Sequence, residues 1–180
     1  MTALTILAGL VWTALDLKQL ARDPGAKRAG FSGAAALVVL ILAVQILYGA
    51  YVAGLSAGQV ASSWPLMNGS FVPVGIDWSN GPLWAALNDP YLIHFIHRWW
   101  AWVVVVMLIL FARRVKAAGN RIVSITIHSL FGTQILLGIA TVMTGVNLTL
   151  AVLHQAVGAL LIAAVAWGLH SQCLPQENPR

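Results

Sequence analysis

Two histidines and an arginine stand at the mouth of a long apolar run. They fall in His94-Phe95-Ile96-His97-Arg98-Trp99-Trp100-Ala101-Trp102, which leads into the run from Val103 to Ala112. His154, followed by Gln155, opens another apolar run in the same way. Ionisable groups inside a lipid-soluble segment are costly and by default mark function. Neutral imidazole is the commonest side-chain metal ligand. Four residues after each histidine, on the same helical face, comes a small residue: Ala101 after His97 and Gly158 after His154. A porphyrin plane between two helices requires that clearance, and one imidazole from each of two facing helices suits bis-axial ligation of a heme iron. Zinc fits poorly, because it takes three or four ligands and no Cys, Asp or Glu stands near either histidine. The alternative is a pair of core histidines bonded to neighbouring carbonyls. The matched positions and matched small residues favour the heme.

The remaining polar groups rank behind this pair. His94 lies one turn before His97 and reads as a supporting or propionate-contacting group rather than a ligand. Arg98 carries a fork that fits either a heme propionate or a lipid phosphate. Gln155 adjoins the second ligand. The candidate cofactor-binding set is therefore His97, His154, Arg98, His94, Ala101, Gly158 and Gln155, with His97 and His154 on the iron. His128 reads as a polar helix contact with Ser124 or Thr126, and His170 as an interfacial residue. No catalytic residue is assigned: Asp16, Asp23, Asp77, Asp89 and Glu177 all fall at segment ends or in loops.

These residues need helices in a bilayer to position them. The chain has 180 residues, 59% hydrophobic and 8% charged, with a net charge of +5. A soluble domain carries about 25% charged residues, so this chain is expected to be an integral membrane protein in contact with lipid. Its basic residues sit in short clusters between apolar runs, which suits membrane topology and not nucleic acid. The single cysteine, Cys173, excludes CxxCH attachment of heme and disulfide pairing within the chain. Apolar segments run over about Thr2–Leu17, Phe31–Ala57, Ile93–Ala112, Ile122–Gly145 and Leu148–His170. The last four reach the ~20 residues that a membrane helix needs. The first is expected to be a short or truncated membrane helix.

Charge sets the expected orientation. Lys18, Arg22, Lys27 and Arg28 lie in one link, and Arg113, Arg114, Lys116 and Arg121 in another. The links Gly58–Tyr91 and Val146–Thr149 contain no Lys or Arg. The positive-inside rule then places the basic links and the C-terminus in the cytoplasm or matrix and the 58–91 loop outside. That loop is rich in Pro, Gly, Asn and Trp, which favours turns; it is expected to lie over the bundle end as a lid, with one short interfacial helix at Leu83–Leu87. Gln45-Ile46-Leu47-Tyr48-Gly49 repeats as Gln134-Ile135-Leu136-Leu137-Gly138. Each copy precedes a segment that begins with a histidine, so the fold expected is an all-α membrane four-helix bundle of two repeated helix pairs. The expected divisions are 1–30 for the leading helix and basic link, 31–170 for the bundle, and 171–180 for the tail. Gly49, Ala53, Gly132, Gly138 and Gly158 would permit close helix approach.

The run from Gln45 to Gly58, the loop Trp64-Pro65-Leu66-Met67-Asn68-Gly69, His97-Arg98, Gln134 to Thr141 and Leu153-His154-Gln155 together resemble the C-terminal half of heme A synthase. The resemblance covers about Phe31 to His170. It implies an eight-helix membrane enzyme of two homologous four-helix halves, in a bacterial plasma membrane or mitochondrial inner membrane. The C-terminal half of such an enzyme holds heme b between two histidines, which correspond to His97 and His154. The family's activity is oxidation of the heme O methyl group to the formyl group of heme A, for cytochrome oxidase assembly, with electrons from an unidentified donor. The N-terminal half of the family carries a catalytic Glu three residues before a His-Arg pair; here that position is His94. The resemblance thus implies the cofactor-holding half. It would work with a missing N-terminal half, a split partner or a second copy of itself. The competing expectation is a b-type cytochrome-like or heme-holding membrane subunit without its own chemistry.

Overall fold

The computed structural model describes residues 2–26, 29–30 and 32–173. The expectations for Lys27, Arg28, Phe31 and the tail beyond Cys173, Glu177 included, lie outside them. Among the described residues every regular element is helical, and five helices are long and apolar enough to cross a membrane. The protein is an all-α integral membrane bundle.

The elements follow the apolar runs, with ends set by capping. Helix α1 spans Thr2–Arg22, α2 Gly33–Gly54, α3 Pro82–Asn88, α4 Pro90–Ala117, α5 Arg121–Met143 and α6 Leu148–Gln172. Ser32 caps α2 through the Ala35 N–H, Asp89 caps α4 through the Leu92 N–H, and Asn147 caps α6. Such caps satisfy donors that a helix start otherwise leaves unpaired. Pro82 and Pro90 stand in the first turns of α3 and α4, where a missing N–H is harmless.

Helix α1 is longer than its apolar run. It continues past Leu17 through Lys18 to Arg22, 21 residues in all. Asp16 therefore lies inside a membrane-length helix and not at a segment end, a correction to the sequence-based expectation. His170 explains how: its Nε2 meets Asp16 Oδ1 at 2.8 Å, and the Trp12 ring packs edge-on to it at 5.2 Å. His170, in the last turn of α6, is thus a buried tie between α1 and α6.

Helix α4 packs against α2, α5 and α6; α5 packs against α6, and α6 against α1. The buried core joins Ala35 and Val38 of α2, Val104, Leu108, Phe111, Ala112 and Val115 of α4, Val123 and Ile127 of α5, and Leu161, Ala164, Val165 and Leu169 of α6. All these residues lie toward the end that carries Arg113, Lys116 and Arg121. At the opposite end α2 beyond Val38, α5 beyond Ile127 and α6 before Leu161 bury no residue fully. Both histidines of the expected pair lie in that half, where α4 itself buries Ile93, His94 and Arg98.

The 58–91 loop covers the same end. Its short helix is α3, as expected. Ser63, Asn68 and the Met67–Ser70 bridge fold its first part, and Met67 is fully buried. The Phe71 ring stacks on Trp99 of α4 at 4.5 Å, and a Cβ on Gly75 would lie 2.9 Å from the Tyr91 ring. Gly58 lies against Val146, in the turn between α5 and α6. Asp89 accepts from the Asp77 N–H, joining the loop to the start of α4. At the loop surface, the Ser79 backbone N–H and then its side chain hold the Asp77 carboxyl below the usual range.

Candidate heme-binding site

His97 lies seven residues after the start of α4 and His154 six after the start of α6. At 1.5 Å per residue the two imidazoles sit about 10 and 9 Å along their helices from the lid-covered end. The matched depth expected from the sequence is what the helix starts give. The two rings lie within electrostatic reach of each other, and both are partly exposed.

Each ring is held by the helix that precedes its own in the repeat. Gln45 Nε2 lies 3.1 Å from His97 Nδ1 and donates to the His97 carbonyl at 3.2 Å. Gln134 Nε2 lies 3.2 Å from His154 Nε2. Four residues beyond each glutamine, on the same face, a glycine lets the ring come close. A Cβ on Gly49 would lie 3.0 Å from His97 Cε1, and one on Gly138 would lie 3.1 Å from His154 Cε1. The side-chain partners of the two histidines are glutamine amides.

The structure rearranges the roles of the surrounding residues. The missing Cβ of Gly158 makes room for the Gln134 amide, whose Nε2 would lie 3.2 Å away. Ala101 is half-buried one turn beyond His97. Gln155 is exposed on α6, about 100° round the helix from His154. Arg98 was expected to meet a heme propionate or a lipid phosphate. It is buried, and its Nε donates to His94 Nε2 at 2.9 Å, Nη1 to Ser63 O at 2.9 Å and Nη2 to Ala61 O at 3.1 Å. The Trp64 ring flanks the guanidinium at 5.9 Å. Arg98 clamps the lid loop to α4, and His94 braces the clamp. His128 Nδ1 meets the Ser124 carbonyl at 2.8 Å, the contact expected of it.

Gln45 and Gln134 entered the sequence reading only as markers of the repeat, and Gly49 and Gly138 only as packing glycines. The signal that could have found them was the repeat itself: a glutamine and a glycine one turn apart, each time ahead of a histidine-bearing helix.

The donor set fits a heme. Each imidazole has one nitrogen with no hydrogen-bond partner among the described residues, Nε2 of His97 and Nδ1 of His154. Nδ1 of His154, Oε1 of Gln45 and Oε1 of Gln134 are buried as well. Buried polar atoms without partners are rare enough to require a reason, and three of them belong to the two glutamine–histidine pairs; His94 Nδ1 and Trp99 Nε1 on α4 are others. Among the described residues no three His, Cys, Asp or Glu side chains come together. One imidazole from each of α4 and α6 would suit an iron whose other four ligands come with it.

Fold and site define a polytopic membrane protein with a histidine pair on facing helices. The sequence model of the cytochrome oxidase assembly protein family matches residues 1–166. A heme A synthase of Erythrobacter litoralis is 54% identical over 171 residues, covering 95% of this chain and 50% of that protein. One of Sphingopyxis alaskensis is 55% identical, covering 94% of this chain and 48% of that protein. One of Rhizorhabdus wittichii is 44% identical, covering 98% and 51%. The chain belongs to the heme A synthase family. It spans about half the length of these curated relatives. No solved structure matches it.

Proposed function

We propose that this chain is the heme b-holding half of a heme A synthase, with His97 and His154 as the two axial ligands. The observation that carries the reading is the pair of equivalent imidazoles at matched depth, each seated on a glycine and each with one nitrogen unpartnered. The bound heme would supply one-electron transfer toward heme O, whose methyl group the complete enzyme oxidises to the formyl group of heme A. The protein's share is to orient the two imidazoles from α4 and α6 and to keep water out. Arg98 serves the second task by fastening Ala61 and Ser63 over the bundle end. By the positive-inside rule the lid faces outward and the Arg113–Arg121 link faces the cytoplasm or matrix.

The test is to purify the chain in detergent and extract its pigment. The reading predicts one protoheme per chain and no covalently held heme. A well-folded preparation from heme-replete cells that shows no Soret band would overturn it.

A further inference from the structure

We propose that the cleft between the last turns of α4 and the first turns of α5 binds the phosphate of an anionic diacyl phospholipid. Arg113 and Lys116 of α4 line it, together with Arg121, Ser124, Ile125 and His128 of α5. Arg113 and Lys116 stand three residues apart, and Arg121, Ser124 and His128 recur at three and four, so each set shares one helical face. The cleft measures about 580 Å³ beside Arg113 and about 280 Å³ beside Arg121. That is room for a phosphate and the glycerol that carries it.

The three cations have no counter-charge within the chain. Among the described residues none of them forms an ion pair, and no acidic residue stands between Asp89 and Glu177. Asp77 and Asp89 belong to the lid end, and Asp16 is bound to His170. The start of α5 sharpens the imbalance. Arg121 is its first residue, where the helix dipole is already positive, and Asn120 adds no side-chain cap. An anion offsets both. Ser124 supplies a neutral donor: it is only 3% exposed yet lines the cleft, and its hydroxyl has no hydrogen-bond partner among the described residues. A buried hydroxyl of that kind calls for an acceptor. His128 donates through Nδ1 to the Ser124 carbonyl, which fixes its ring as part of the wall.

The position of the cleft selects a lipid over a free anion. It opens where two membrane-length helices meet at their basic ends. The surface leading to it is apolar: Leu110, three residues before Arg113, is 58% exposed, and Ile122 and Ile125 are 72% and 53% exposed. In a bilayer acyl chains cover such a surface while the headgroup reaches the cations. Basic pockets between membrane helices take acidic headgroups in this way. Inorganic phosphate would leave the apolar strip unused.

The experiment is native mass spectrometry of the purified full chain in detergent, titrated with phosphatidylglycerol or phosphatidylcholine, and with inorganic phosphate as competitor. Wild type should hold phosphatidylglycerol about 10-fold more tightly than phosphatidylcholine. Arg113→Gln, Lys116→Gln and Arg121→Gln should each weaken phosphatidylglycerol binding about 5-fold, the effect of one cation near an anionic lipid. Ser124→Ala should weaken it about 5-fold with no change of charge, the effect of one hydrogen bond. Arg114→Gln removes a charge from the same link but outside the cleft, and at about 0.15 M salt screening should hold its effect below about 2-fold. Equal retention of the two lipids would overturn the proposal, as would displacement of phosphatidylglycerol by inorganic phosphate. An Arg114→Gln effect as large as that of Arg113→Gln would overturn it too, by showing diffuse surface charge instead of a site. So would wild-type binding in folded Ser124→Ala.

Discussion

At the scale of single residues, the site depends on groups that are small or hold a neighbour. Gly138 is the sharpest case, because a Cβ there would press on His154 Cε1 at 3.1 Å. Gly138→Leu should push the ring from its seat. Overpacking of this kind typically costs about 1–3 kcal/mol, and the variant should load markedly less heme per folded chain than wild type. Gly9→Leu is the control, since a Cβ on Gly9 meets nothing within 4 Å. Equal heme content in folded Gly138→Leu and wild type would show that the ring has room to spare. The histidines were legible in the sequence because an ionisable group in an apolar run is conspicuous. Their glutamine partners were not, since each contact joins residues 52 or 20 positions apart. The partners of Arg98 were illegible for another reason: it binds backbone carbonyls of Ala61 and Ser63, and a carbonyl leaves no mark in the sequence.

At the scale of elements, two polar contacts fasten pieces that apolar packing alone holds weakly. Arg98 binds the lid at two points, Ala61 O and Ser63 O, and is itself braced by His94 of its own helix. Hydrogen bonds from a charged donor contribute about 1.5–3 kcal/mol each, and lysine cannot reproduce the fork. Arg98→Lys should therefore loosen the loop, seen as faster amide exchange from Ala61 to Met67 with the helices unchanged; wild-type protection there would show that apolar contacts hold the lid. The second fastening is Asp16 to His170. No residue of α1 is fully buried, and this contact and the Trp12 ring are ties between it and α6. Asp16→Leu leaves the buried imidazole without its partner, at a cost of about 1–3 kcal/mol. The variant should melt at lower temperature in detergent and be cleaved sooner between α1 and α2, whereas Asp16→Asn should keep most of the contact. An unchanged melting temperature in Asp16→Leu would rule out the tie. Hydropathy located all five long helices but stopped the first at Leu17. The helix runs on through Lys18-Gln19-Leu20-Ala21-Arg22, good helix formers that an apolar run does not register.

At the scale of the whole molecule, the buried core and the candidate site divide the bundle between them. The apolar core fills the half near the basic link, while the histidine pair occupies the half beneath the lid. The repeat, the lid and this pairing of helices were readable in advance from the Gln-x-x-x-Gly motif, the run of loop residues and the placement of charge. Which half would be tightly packed was not, because both halves are equally apolar in sequence. Asp16 is the one acidic side chain within the membrane-length helices, and it is committed to His170. We therefore expect the chain, expressed alone as a monomer in cells that make heme O, to yield no heme A on chromatography of extracted hemes. Heme A from such a monomer would place the oxidation within this half. The central claim is narrower, and electron paramagnetic resonance of the oxidised purified chain tests it most directly. The account predicts a low-spin bis-imidazole ferric signal in wild type, with loss of that signal or its replacement by a high-spin one in both His97→Ala and His154→Ala. A native low-spin signal retained in both variants would contradict it.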